Sequence, residues 1–128
     1  AVLDDLGLDA ALSGIAARSP IPVRLLVDLP SRPSRPIEAA AYFLISEALT
    51  NAAKHSGATT VDILVEPTAA AELRIVVSDN GRGGADPGGG SGLAGLAGRI
   101  SALDGTFAVH SPVGGPTVVT ATLPYHSS

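Results

Sequence analysis

The chain has 128 residues, 45% of them hydrophobic but only 3% aromatic, which suits one domain with a core of Ala, Val, Leu and Ile. Cysteine is absent, which excludes disulfides, structural thiolate zinc and thiol catalysis, and a net charge of −4 without a basic run argues against a nucleic-acid surface. No apolar stretch approaches the roughly 18 residues of a membrane span and no signal peptide is visible, so a soluble, cytoplasmic domain without membrane contact of its own is expected.

Methionine is also absent and the first residue is Ala1. Residues 1–128 are therefore expected to be a single domain cut from a longer protein, which can itself be membrane-anchored.

In chain order, Leu8–Arg18 reads as a modest helix ended by Ser19 and Pro20. "VRLLVDL" (23–29) places Val23, Leu25, Val27 and Leu29 on one face, the alternation of a half-buried strand. "PSRPSRP" is a loop, since three prolines in seven residues leave little backbone able to pair. "IEAAAYFLISEALTNAAKHSG" then gives the longest helix. Pro36 suits its first turn, its interior lacks Gly and Pro, and Gly57 supplies the stop.

"TVDILVE" and "ELRIVVS" are alternating strands joined by "PTAAA", a hairpin pattern. A glycine-rich stretch follows, with nine glycines among residues 79–100, too many for an ordinary loop. Residues 93–103 read as a helix with Gly105 placed to cap it. "TFAVHS" and "TVVTATL" form a second hairpin across "PVGGP". Strand pairs in succession rule out a purely βαβ sheet. The expected fold is α+β: a two-layer sandwich of a mixed, mostly antiparallel sheet with about three helices on one face.

Four segments can carry chemistry. In the long helix, Glu47, Asn51, Lys54 and His55 are spaced by three and four residues and share one face, while Leu44, Ile45, Ala48, Leu49, Ala52 and Ala53 should face the sheet. The polar set is either a solvated face or a phosphate and metal site. Asn is a poor helix former, its oxygen can bind Mg²⁺, and Lys54 and His55 can neutralise phosphate.

Second, Asp79-Asn80-Gly81-Arg82-Gly83 ends a strand. It is good turn chemistry, and equally it can set a carboxylate at a pocket floor, where Asp79 would accept from an exocyclic amino group while the glycines admit a flat ligand.

Third, Gly90-Ser91-Gly92-Leu93-Ala94-Gly95 matches the G-x-G-x-x-G dinucleotide fingerprint. Its context fails: no strand directly precedes it, and Asp104 comes too soon to be the ribose-binding acid. What survives is a helix opening at Gly92 whose free N–H groups favour phosphate, with residues 84–90 as a mobile cover. Fourth, "GGPT" (114–117) is a hairpin turn that brings Thr117 within reach of a ligand near Asp79.

Together these segments resemble the ATP-binding catalytic domain of sensor histidine kinases, of the GHKL superfamily that also holds gyrase, the heat-shock chaperone ATPase and the mismatch-repair clamps. The N box is similar to "EALTNAAKH", the two glycine boxes to "DNGRG" and "GSGLAGL", and the final Thr motif to "GGPTVV". Their order matches over residues 39–123, and the short cover with the wording "EALTNAAKHSGAT" resembles the nitrate-sensor class.

The resemblance implies a Bergerat-type sandwich and roles residue by residue. Asn51 would bind Mg²⁺, with Glu47 one turn away. That Glu activates water in the ATPase relatives, whereas in a kinase the attacking imidazole comes from another domain. Lys54 and His55 would touch phosphates or ribose. Asp79 would bind the adenine amino group, with Thr117 reaching it through a water. Gly81 and Gly83 would admit the base, while Gly92, Leu93 and Gly95 would border the phosphates.

The phosphoacceptor is expected elsewhere, since His110 lies in a strand and His126 in the tail. The partners implied are a histidine-bearing dimerisation domain of the same protein and a response regulator. Two other readings are an anti-sigma-type serine protein kinase and a non-catalytic nucleotide-binding module. The wording of the motifs favours the histidine kinase, and intact Asn51, Asp79 and paired glycines oppose the non-catalytic module.

Overall fold

Alternation along the strands sets the layers. In β2 (Val61–Pro67), β3 (Glu72–Asp79) and β5 (Thr117–Pro124), every second side chain is buried: Val61, Ile63 and Val65, then Leu73, Ile75 and Val77, then Val119, Ala121 and Leu123. Because a strand repeats every two residues, these chains line a single face. The edge strands β1 (Val23–Val27) and β4 (Thr106–His110) extend that face with half-buried Val23, Leu25, Val27, Phe107 and Val109. The computed structural model describes residues 2–54, 57–83 and 93–125.

The five strands run in the order β1-β2-β3-β5-β4. β1 and β2 are parallel and every other neighbour is antiparallel, so the sheet is mixed and mostly antiparallel. The parallel pair needs a crossover, which contains α3 (Arg35–Lys54). Two hairpins, β2–β3 and β4–β5, meet where β5 pairs with β3. That pairing sets Asp79 opposite Thr117 at the end of the ladder.

Four helices complete the described fold: α1 (Val2–Leu6), α2 (Leu8–Arg18), α3 and α4 (Leu93–Ala102). α3 lies against β2, β3 and β5, α2 against β1, and α4 against β4. The inner stripe of α3 is Ile37, Ala40, Ala41, Leu44, Ile45, Ala48, Leu49 and Ala52, all buried at helical spacing. Its alanines let the helix approach the sheet closely, while each fully buried Leu or Ile contributes about 1.5–3 kcal/mol. Ala53, expected on this stripe, is half-buried and faces α2.

The three expected helices and five expected strands are all present. α1 was not expected, because five residues are too few to show a period, and Gly7, with φ of 91°, separates it from α2. The strand expected over 23–29 stops at Val27, just ahead of the proline-rich loop. At the end of α4 the left-handed residue is Asp104 (φ 62°), not Gly105. Gly105 sits one position on and donates its N–H to Ile100 O at 2.9 Å, a Schellman closure. It has no room for a side chain, since a Cβ there would collide with the Thr122 carbonyl.

One charged group interrupts the inner stripe. Glu38, 1% exposed, accepts from Leu8 N–H at 3.0 Å and from the Arg32 guanidinium at 3.1 Å. Arg32 also donates to Leu3 O at 3.0 Å, so this cluster fastens α1 and α2 to the start of α3. Glu38→Ala strands the Leu8 N–H and the Arg32 charge. Arg32 is partly exposed and can rehydrate. The expected loss is therefore about 1–3 kcal/mol rather than the 3–5 of a fully buried pair. Urea unfolding of the two proteins measures it, and a loss under about 0.5 kcal/mol contradicts the fastening role.

Candidate functional site

The site begins where β3 and β5 end side by side. Asp79 is 7% exposed and Thr117 6%, the only buried polar side chains besides Glu38 among the described residues. Asp79 Oδ1 accepts from Gly81 N–H at 2.8 Å, closing an Asx turn that aims the chain out of the sheet. Thr117 Oγ1 lies 2.6 Å from Ser111 Oγ.

Asn80, read from sequence only as turn chemistry, fixes the neighbouring loop. Its Oδ1 accepts from Thr59 and Thr60 N–H at 2.9 and 3.0 Å, and its Nδ2 donates to Thr59 Oγ1 at 2.8 Å. These bonds tie the end of β3 to the segment that returns from α3. Nothing in the spacing links Asn80 with Thr59, 21 residues away. Ser111 was missed for the same reason, since its partner is set by the hairpin and not by a motif.

The glycines of this corner answer to backbone before any ligand. Gly83 has φ of 69°, and a Cβ on it would run into the Pro112 carbonyl. Gly115 has φ of 77°, and its Cβ would meet the carbonyl of Gly81. Gly114 N–H donates to Arg82 O at 2.7 Å. The "DNGRG" loop and the β4–β5 loop therefore interlock main chain to main chain, with Gly81 buried between them. Gly83 makes room first for that second loop.

On α3, Glu47 and Asn51 are half-buried and share a stripe with Phe43. The ring of Phe43 carries the Arg99 guanidinium at 4.4 Å, a cation–π contact that pins α4 to α3. Asn51 Nδ2 is buried and has no hydrogen-bond partner among the described residues. An unpaired buried amide costs about 1–3 kcal/mol, so its retention calls for a reason.

Lys54 is exposed and lies where this stripe meets a groove of about 380 Å³ between α2 and α3, lined by Ile15, Arg18, Leu49 and Thr50 among others. Gly95 is exposed on α4 with open space at its Cβ position. His55, Gly92 and the expected cover over 84–90 lie outside the described residues, as do the side chain of Leu93 and His126. His110 is exposed on β4. Among the described residues no three His, Cys, Asp or Glu converge as a metal-binding group. No described helix is long and apolar enough to cross a membrane.

A helix-covered mixed sheet with buried Asp and Thr on adjacent strand ends, beneath a helix bearing an unsatisfied carboxamide, defines an ATPase-type sandwich. Residues 37–127 match the family of histidine kinase-, DNA gyrase B-, and HSP90-like ATPases, and the chain belongs to that family. Within that family, curated relatives it is similar to are sensor histidine kinases.

It is 35% identical over 88 residues to the sensor histidine kinase YdfH of Bacillus subtilis (strain 168), covering 65% of this chain and 22% of that protein. To the NarQ homolog of Haemophilus influenzae it is 30% identical, over 94% of this chain and 22% of the relative. To the oxygen sensor histidine kinase NreB of Staphylococcus carnosus it is 34% identical, over 95% and 38%. The chain thus spans well under half the length of these curated relatives.

Two solved structures share the fold. The blue-light activated histidine kinase of Erythrobacter litoralis EL346 superposes with a TM-score of 0.76 at 24% identity, over 93% of this chain and 41% of that one. Full-length ShkA in complex with AMPPNP gives 0.73 at 20%, over 94% and 30%.

The interlocked loops predict opposite outcomes for two glycines. Gly83→Ala forces a Cβ into a carbonyl at positive φ and should destabilise the fold by more than about 1 kcal/mol. Gly98→Ala meets nothing within 4 Å in the helix α4, and should stabilise it by up to about 1 kcal/mol. Thermal melting of the two variants reads both signs. Equal effects contradict the interlock.

Proposed function

We propose that this domain binds ATP–Mg²⁺ and presents the γ-phosphoryl for transfer to a histidine on a separate dimerisation domain of the same protein, from which a response regulator takes it. Support comes from membership of the ATPase family and from the AMPPNP complex of a protein with the same fold. The observation in this chain that carries the reading is Asn51, beside Glu47, whose buried Nδ2 has no hydrogen-bond partner among the described residues.

Asn51 suits the proposed group. A carboxamide offers both an N–H and an oxygen at one spot, exchanged by a flip of the side chain. Mg²⁺ takes oxygen ligands, keeps several waters and shares phosphate oxygens, so one Asn oxygen suffices once nucleotide is present. Held by Asn51, such a metal would supply positive charge against the phosphates. Glu47, a turn away, orders the water around it, and Lys54 and His55 balance phosphate or ribose.

In the same reading Asp79 accepts from the adenine amino group and Thr117 reaches it through a water. Gly81 and Gly83 leave the base a flat approach. Gly92, Leu93 and Gly95 border the phosphates at the opening of α4, where free N–H groups favour negative charge. The domain's work is then positioning and charge stabilisation, since the nucleophile comes from elsewhere. Its proposed setting is the cytoplasm, where ATP is available.

Calorimetric titration separates the two roles. Asp79→Ala should weaken ATP, ADP and metal-free nucleotide alike, by about 10- to 150-fold for a hydrogen bond to a charged group worth roughly 1.5–3 kcal/mol. Asn51→Ala should spare metal-free ADP and abolish most of the gain from adding Mg²⁺. Phosphate release by the 128-residue chain should be negligible, because in this reading the acceptor histidine belongs to the dimerisation domain. If Asn51→Ala harms metal-free ADP as severely as Asp79→Ala does, the separate base and metal roles fail. Rapid hydrolysis would instead make Glu47 a general base.

A further inference from the structure

α2 and α3 lead into β1 and β2, which run parallel with Val23 opposite Val61. The two helices therefore end at the same edge of the molecule, and their last residues are Arg18 and Lys54. Between them lies the groove of about 380 Å³, walled by the apolar side chains of Ile15, Leu49 and Ala53. Arg18 and Lys54 also line it, and among the described residues no acid does.

Both cations are exposed, and neither makes a hydrogen bond or an ion pair with a described residue. The negative ends of two helices favour one cation each, which accounts for the charges but not for the apolar space beside them. Gly14 weakens the middle of α2 as a helix. Its missing side chain leaves room for the guanidinium to lie back along the helix, since a Cβ there would stand 3.0 Å from Arg18 Nη1.

The volume lies at the small end of ligand sites, which run about 300–1,000 Å³. A docked helix needs apolar anchors over several turns, and three apolar walls beside two turns of α3 do not supply them. From Ser46 to Lys54 the groove follows α3 for about 12 Å at 1.5 Å per residue, the length of an extended chain of about eight to ten carbons.

We propose that the α2–α3 groove binds a small amphipathic carboxylate, its chain along Ile15, Leu49 and Ala53 and its head group at Arg18 and Lys54. Charge complementarity sets the sign. Two unpaired cations with no acid beside them attract an anion, even in a chain of net charge −4. The planar fork of Arg18 matches two carboxylate oxygens, and Lys54 adds a point charge. The groove lies about a third of a turn around α3 from Glu47 and Asn51, so nothing in this site depends on nucleotide.

Backbone amide NMR of the 128-residue chain tests the site with decanoate, kept below its micellar concentration. Titration should shift the amides of residues 15–20 and 46–54 to saturation, with a Kd below about 1 mM. Decanol and decylamine carry the same chain on a neutral and a positive head. Decanol should bind at least about 3-fold more weakly than decanoate, and decylamine should leave these amides unmoved. Arg18→Gln should weaken decanoate about 2- to 5-fold, the range of an exposed ion pair, and leave decanol unchanged. Ala53→Leu, which fills the groove, should abolish binding of both. Where that variant does not fold, Arg18→Glu, at an exposed position, should lose decanoate and keep decanol.

No saturable shift, or shifts scattered to the exposed Leu6, Leu26 and Val113, overturns the site. Decanol binding as tightly as decanoate overturns the anion assignment. If the same amides move with protein concentration alone and not with decanoate, the groove is a contact between copies of the chain and the small-ligand assignment fails.

Discussion

The pairing of β3 with β5 is the constraint on which the rest depends. It joins two hairpins, each local in sequence, into one sheet, and its register sets Asp79 opposite Thr117. Register leaves no latitude. A slip of one residue would turn Leu73, Ile75 and Val77 outward and send Ser78 in place of Asp79 toward the helices. The apolar alternation that builds the core thus also positions the carboxylate and the hydroxyl. Their burial is a consequence of where the ladder ends, under α3, and not of any separate device.

Around that ladder end the chain relies on backbone contacts. Gly83 and Gly115 face carbonyls at distances that no side chain survives, and the Asp79 and Asn80 side chains satisfy the N–H groups that the turns leave over. Loops made this way lose little when a flat ligand lies on them, because they present main chain and not mobile side chains. They are also rigid for loops. Their atoms answer to each other across the two loops, which is the preorganisation that the proposed base-reading role needs.

The layers were legible because their signals are periodic. Twenty residues of helix and two alternating hairpins state their type without tertiary help, and Leu8–Arg18 was read to its ends. What was not legible follows from short length or long range. α1 is too brief to show a period, and Asp104 takes the left-handed position because Gly105 was needed elsewhere, against Thr122. The motif residues were found from local chemistry, but the residues supporting them were not. Asn80 meets Thr59 across 21 residues and Ser111 meets Thr117 around a hairpin, contacts that exist only once the sheet is assembled.

The described polar groups divide into a finished half and an unfinished one. At the strand ends three polar side chains have partners: Asp79 with Gly81, Thr117 with Ser111, and Asn80 with Thr59 and Thr60. On α3, beside the buried Ala48 and Ala52, the Asn51 nitrogen is covered and has no hydrogen-bond partner among the described residues. Asn at that place costs stability twice, through helix propensity of up to about 0.7 kcal/mol and through the larger penalty of an unpaired buried amide. Folding alone has no use for such a residue, which is what favours the proposed ligand role of Asn51. In the proposed reading the side chains of the base floor have partners before nucleotide arrives, whereas the Asn51 nitrogen gains one only with it.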